Sequence, residues 1–381
     1  MVGPGKGHRP AGYRGAVLTR GLVLALCAVL WLAAPARAEG EPVSTSQPQV
    51  TGTAAVGEAL KAGRGGWDPA EVEVAFRWLR DERPIAGATA RSYRVVLDDL
   101  RHRLSVTATA TDAQGAGSAA TSEQTGPVVR GTLTLRQSPH VVGTSRFGRT
   151  VQADPGRWSR TPQRTTYQWF RGPRPIDGAT GRRYALAPDD VGRHVRVRVG
   201  VKVPGYRLAT ATSPRTAPVG HRVDLRRTVT YHVETRGRIT TSMRDFKRLA
   251  QQSYDDPRGW RGKGVRFVRV ERRGSFTLVL AEASTVPSFS SGCSSTYSCR
   301  VGRYVIINQT RWNRATPPWN AAGGSLRDYR HMVVNHETGH WLGYGHAGCS
   351  GRGKLAPVMM QQSKGLDGCR FNPWPTPREL G

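Results

Sequence analysis

The sequence is short of acidic groups, of cysteine and of long apolar runs, and each shortage excludes something. Asp and Glu number 27 against 57 Lys and Arg, giving a formal net charge of +30 over 381 residues. A chain this basic is drawn to polyanions. No recognisable nucleic-acid module accompanies the charge, so nucleic acid is not expected as a partner. Anionic cell-wall polymer is the polyanion that the charge suggests, beside the plainer reading that arginine keeps the chain soluble. The five cysteines lack the paired C-x-x-C spacing of thiolate zinc sites. Past the first 38 residues no run approaches the roughly 20 apolar residues a membrane span needs, so no integral membrane segment is expected after signal removal.

What is present begins with an export leader. Lys6, Arg9, Arg14 and Arg20 precede an apolar run from Gly21 to about Ala34, and Ala36-Arg37-Ala38 has the A-x-A form of a cleavage site. Residues 1–38 therefore read as a signal peptide and the mature chain as secreted or associated with the cell envelope. Cys27 leaves with the leader. The four cysteines that remain, Cys293, Cys299, Cys349 and Cys369, are even in number in an exported chain and read as disulfides. Three pairings are possible; the local pairs Cys293 with Cys299 and Cys349 with Cys369 are preferred.

The middle of the chain is duplicated. Trp67, Trp78, Ile85, Gly87-Ala88-Thr89, Tyr93, Asp98-Asp99 and Val106 recur about 91 residues later as Trp158, Trp169, Ile176, Gly178-Ala179-Thr180, Tyr184, Asp189-Asp190 and Val197. Two-residue alternation around the central tryptophans, and at Leu104, Val106, Ala108 and Val195, Val197, Val199, predicts half-buried strands. Many short strands in about 90 residues point to β-sandwiches that resemble bacterial immunoglobulin-like domains, although neither copy has a sheet-bridging cysteine pair. The first copy has Arg101 where the second has Gly192 in its Asp-x-Gly corner, so that corner is expected to be built differently. Residues 39–47, 121–131 and 213–220 read as linkers, leaving sandwiches at 48–128 and 129–219.

The last part of the chain, 222–381, carries the chemistry. Residues 336–346 read H-E-T-G-H-W-L-G-Y-G-H. A helix turns every 3.6 residues or so, which puts His336 and His340 on one face and lets both imidazoles bind one ion. Gly343 permits the left-handed turn that ends a helix and brings His346 back to the same metal. Three neutral histidines leave a fourth position for water, as catalytic zinc sites do. Glu337, beside the first ligand, is placed to take that water's proton. Ser325 with Asp328 forms a capping pair, and Tyr329, Met332, Val333, His336 and His340 fall on one stripe of the helix.

This pattern resembles the metzincin zinc proteases, which carry the elongated motif and later a methionine turn beneath the metal. Ala356-Pro357-Val358-Met359-Met360 is the matching segment, with Met359 favoured over Met360 as the floor of the site. Gln361 or Gln362 stands where some metzincins have a switchable tyrosine, so help from such a tyrosine is not expected. Asn335 through Cys349, Gly365-Leu366-Asp367-Gly368-Cys369 and Asn372-Pro373-Trp374-Pro375 are similar to an uncharacterised family of exported actinobacterial metzincin-like proteins. The resemblance implies an α+β domain with one catalytic Zn2+ held by His336, His340 and His346, acting on protein or peptide. It also implies an edge strand that binds substrate backbone, for which Tyr304 to Asn308 is the candidate. Trp312 and Asn313 are candidates to line a cleft; His232 and His331 are read as structural or surface residues.

The expectation is thus two all-β immunoglobulin-like sandwiches followed by an α+β metzincin-like zinc endopeptidase. Two rivals keep the same residues. One is a zinc amidase or peptidoglycan hydrolase of the cell wall; the other is a non-catalytic surface adhesion protein with a vestigial metal site.

Overall fold

The computed structural model describes residues 41–381, so the expected leader, its cleavage site and Cys27 lie outside the described residues. The protein is multidomain and predominantly β, with few helices. It falls into two compact units. One holds the described residues through Thr51 together with Lys61–Tyr93 and Leu104–Thr125; the other holds Gly52–Leu60, Arg94–Arg103 and Gly126–Gly381. The expected boundary between residues 128 and 129 does not coincide with this division.

The repeat resolves into the same antiparallel strand pair twice, Glu73–Arg80 with Leu104–Thr111 and Arg164–Arg171 with Val195–Lys202. Alternating apolar residues turn one face of each pair inward. Trp78 and Trp169 are fully buried there. Their indole N–H groups donate to Ala90 O and Gly181 O, each at 2.9 Å, and their rings stack on Tyr93 and Tyr184 at 5.4 and 5.5 Å. In the second copy, Val151 and Ala153 of one sheet pack with Trp169, Val195, Val197 and Val199 of the other. That shared core between two sheets is what makes a sandwich.

Two expectations for this region are corrected. Arg101 adopts φ +76°, the same value as Gly192, and the Asp99 and Asp190 carboxylates accept the Val96 and Ala187 N–H groups at 2.8 and 2.7 Å. The corner is built the same way in both copies. A Cβ at Gly192 would meet nothing within 4 Å, so an arginine in the equivalent place adds backbone strain but no clash. The first expected linker also contains a strand. Val43–Ser46 is a strand paired with Gly66–Asp68. Ser122 Oγ and Ser213 Oγ accept the Val106 and Val197 N–H groups at 3.0 Å, because buried backbone donors need partners.

In the C-terminal part, a five-stranded sheet has the order Val265–Arg269, Arg227–Arg236, Phe276–Ala281, Tyr304–Asn308, Cys299–Val301. The first four strands are parallel and the last is antiparallel. Phe276–Ala281 is buried at every position because both faces of the sheet are covered. On one face Phe276, Leu278 and Leu280 meet the Met243–Asp255 and Leu326–Trp341 helices through Phe246, Tyr254, Tyr329 and Met332. On the other, Val279, Ala281 and Ile306 pack on Val286 and Cys293. Cys293 is bonded to Cys299 and Cys349 to Cys369, the pairing preferred from sequence.

Tyr304–Asn308 is therefore an inner strand and not an edge: it pairs on both sides, and Cys299–Val301 takes the edge beyond it. Its apolar composition reflects this position. Trp312 is a core residue, its ring 4.7 Å from that of Phe246, while Asn313 accepts a hydrogen bond from Thr241 Oγ1 at 3.0 Å; neither lines the cavity at the metal motif. His232 is buried between Gly274 N–H, 3.1 Å from Nδ1, and Glu234. His331 bonds Ser253 Oγ at 2.9 Å and packs on Trp374. Among the described residues no helix is long and apolar enough to cross a membrane.

Candidate metal centre

The Leu326–Trp341 helix presents the site. Ser325 caps it by accepting the Asp328 N–H at 3.0 Å. Its core stripe, Tyr329, Met332 and Val333, is buried and carries His336 and His340 to the end of the same face. Gly343 has φ +97°, a conformation that L side chains resist, and there the chain leaves the helix to return with His346. The structure brings the three imidazoles together. His340 Nε2 lies 3.2 Å from His336 Nε2 and 3.1 Å from His346 Nε2.

The protonation of two of these rings follows from their other nitrogen. His336 Nδ1 lies 2.8 Å from Val358 O and His340 Nδ1 lies 2.8 Å from Tyr344 O. A carbonyl only accepts, so each Nδ1 carries the proton and donates it, and in the neutral rings both Nε2 atoms are bare lone pairs. Burial holds His336 neutral, with its pKa brought down to about 3. Burial also lowers the His340 and His346 values. Two lone pairs 3.2 Å apart repel unless a cation lies between them. Zinc fits the gap: nitrogens about 2.0–2.1 Å from a tetrahedral ion lie roughly 3.3 Å from each other.

Glu337 is buried beside this cluster, and its carboxyl is pushed up to about 8 by burial, with Arg300 pulling the other way. Met359 and Met360 sit differently. Met359 packs under the helix at Gly339, whereas Met360 lines the cavity above the histidines.

Several residues that position the site were missed from sequence. Glu379 accepts the N–H groups of Val358 at 3.1 Å, Met359 at 2.8 Å and Thr376 at 2.7 Å, so it fixes the turn whose Val358 carbonyl orients His336. Thr376-Pro377-Arg378-Glu379 has capping-box form, the signal that could have found it. Trp260 stacks on Tyr344 at 4.7 Å and donates to Asn335 O at 2.9 Å, which holds the loop that carries the Tyr344 carbonyl. Tyr297, inside the loop closed by Cys293 and Cys299, lines the cavity, far in sequence from the segment after the methionines where a tyrosine stands in some metzincins. No local pattern marks it.

Gly339, in the middle of the motif, is a packing requirement. A Cβ there would collide with Met359 Sδ and come within 2.7 Å of Trp260 Cζ2. Gly339→Ala is expected to destabilise the metal-free protein by about 1–3 kcal/mol of overpacking, against a helix-propensity gain of about 1 kcal/mol. Thermal unfolding measures the net effect; a midpoint equal to or above the wild type would mean that Met359 moves aside at no cost.

A family model described as a protein of unknown function (DUF3152) matches residues 206–377. No curated protein matches the chain. Among solved structures, the chain is similar to the three N-terminal domains of the Highly Immunogenic Outer Capsid protein of bacteriophage RB49, at 14% identity and TM-score 0.22, covering 50% of this chain and 65% of that one. The chain thus spans just under two thirds of that structure. It is also similar to tandem immunoglobulin repeats of Dlar, at 17% identity and TM-score 0.15, covering 46% of this chain and 95% of that one. A two-domain fibronectin type III segment of chicken tenascin gives 14% identity and TM-score 0.24, with 45% and 98% covered.

Proposed function

We propose that this protein is an exported zinc-dependent endopeptidase, an α+β metzincin-like domain carried behind immunoglobulin-like sandwiches. The observation that carries the reading is the pair of Nδ1-anchored imidazoles whose bare Nε2 atoms converge with the third histidine at 3.1–3.2 Å, with Glu337 at their side. The two disulfides fit an oxidising compartment outside the cytoplasm.

His336, His340 and His346 would hold the ion. When bound, zinc supplies Lewis-acid polarisation of a water and of the scissile carbonyl. Glu337 takes a proton from the attacking water and returns it to the leaving amine. The Val358 and Tyr344 carbonyls keep two imidazoles in the binding tautomer and orientation. Cys299–Val301, the edge of the sheet, pairs on one side only among the described residues, and substrate backbone can add along the other as a further strand.

The test is the zinc content of the secreted-form chain together with digestion of a peptide library, with a chelator control and purified cell wall as a parallel substrate. About one zinc per chain with chelator-sensitive peptide cleavage is expected. Cleavage of wall alone would transfer the chemistry to an amidase. Polymer binding with no cleavage of either would favour an adhesion protein, and failure to take up zinc under any loading would overturn the reading.

A further inference from the structure

The cavity over the three histidines has a volume of about 500 Å³ and an unbalanced charge. Two cations line it, Arg300 on the edge strand Cys299–Val301 and Lys364 on the segment after the methionines. Glu337 is the one carboxylate among the described residues that line it. Neither cation forms an ion pair among the described residues. Lys364 Nζ is 3.3 Å from Gln361 Oε1 and 5.6 Å from the centre of the Tyr297 ring, both uncharged partners. The two cations approach the histidines from different elements. Arg300 acts electrostatically on Glu337 and His340, and Lys364 on His346. The remaining polar lining outside the histidines is uncharged and includes Ser294, Ser298, Gln361 and Ser363.

A divalent ion at the histidines would make this cavity more positive still, and a cleft lined by one sign of charge concentrates groups of the other. Both side chains line the volume a substrate must occupy. From this juxtaposition we infer that the site selects substrates bearing a carboxylate close to the scissile bond, taken up by Arg300 and Lys364. This inference rests on the hydrolase reading and names its substrate class. An acidic side chain and a chain-terminal carboxylate present the same chemistry. Arg300, with a planar fork of donors, suits bidentate capture, and Lys364 acts as a point charge.

Matched peptides distinguish the sources: Glu against Gln at positions flanking the cleaved bond, each with a free or an amidated C-terminus. Cleavage by the zinc-loaded wild type gives kcat/KM, and binding to zinc-loaded Glu337→Gln gives Kd without turnover. Acidic peptides are expected to be favoured by roughly ten-fold or more in both readouts. The advantage should shrink with added salt, because both cations are exposed. In Arg300→Gln and Lys364→Gln the acidic-to-neutral ratio should fall toward one. If only the free C-terminus matters, the carboxylate is terminal; if only the side chain matters, it is internal. Equal rates for acidic and neutral peptides, or an acid preference that survives the double variant, would overturn the inference and leave the hydrolase reading standing. Acid-selective binding with no cleavage of any peptide would support the inference and sink the hydrolase reading.

Discussion

Glu337→Ala is expected to retain the metal and to lose turnover by about 10²–10⁴-fold or more, the range over which a positioned general acid and base contributes. The three histidines proposed to hold the ion do not depend on the Glu337 carboxyl. Two are fixed by the Val358 and Tyr344 carbonyls, and the chain turns to the third at Gly343. Burial alone raises the Glu337 carboxyl, and no hydrogen bond in the described structure compensates it. Its removal strands no hydrogen-bond partner, and the cost of holding a carboxyl in an apolar setting goes with it. The unfolding midpoint of the metal-free variant should therefore stay level or rise, whereas a residue kept for packing would lower it. Metal analysis, peptide turnover and thermal unfolding of the same preparation separate the cases. Turnover comparable to wild type would remove Glu337 from the mechanism, and loss of metal would make it a structural support of the site.

The three converging histidines were legible because they obey local periodicity. Four residues is close to one helical turn, and Gly343 marks the place where the helix must end. The duplicated sandwiches were legible for a related reason. A fixed offset carries Trp78, Ala90, Tyr93 and Asp99 to Trp169, Gly181, Tyr184 and Asp190, and the same contacts follow. What stayed hidden depends on pairings distant in sequence. Tyr304–Asn308 reads as a strand, but whether it is an edge depends on the docking of Cys299–Val301, which is too short to announce itself. Tyr297 reaches the cavity because a disulfide closes its loop, and Glu379 reaches the methionine turn across about 20 residues of irregular chain. Arg101 misled in another way. Glycine at the equivalent corner shows what the backbone needs, while an open surface there lets a larger residue accept the same φ. The first expected linker was misread from composition, since a Pro- and Ser-containing segment can also pair as a strand, as Val43–Ser46 does with Gly66–Asp68.

Metal affinity should rise with pH by as much as ten-fold per unit between about 6.5 and 8 and then level off. In the metal-free protein burial keeps His336 down at about 3 and lowers His340 and His346, so the imidazoles are already neutral over this window. Glu337, pushed up to about 8, still holds its proton through most of it. A divalent cation beside the carboxyl favours its ionised form, so loading the site expels that proton and is helped by alkali. The same group predicts the stability of the metal-free chain. A carboxyl whose folded pKa lies above its unfolded value stabilises the fold fully below the unfolded value and loses that contribution as pH rises through the folded one. Stripping the metal should thus lower the unfolding midpoint more at pH 8 than at pH 6. Competition with a chromophoric chelator across this range gives the slope, and Glu337→Gln supplies the control by removing the titrating proton. A slope that persists in Glu337→Gln would assign the proton to a histidine, and a flat wild-type profile would mean that the Glu337 carboxyl is already ionised before the metal arrives.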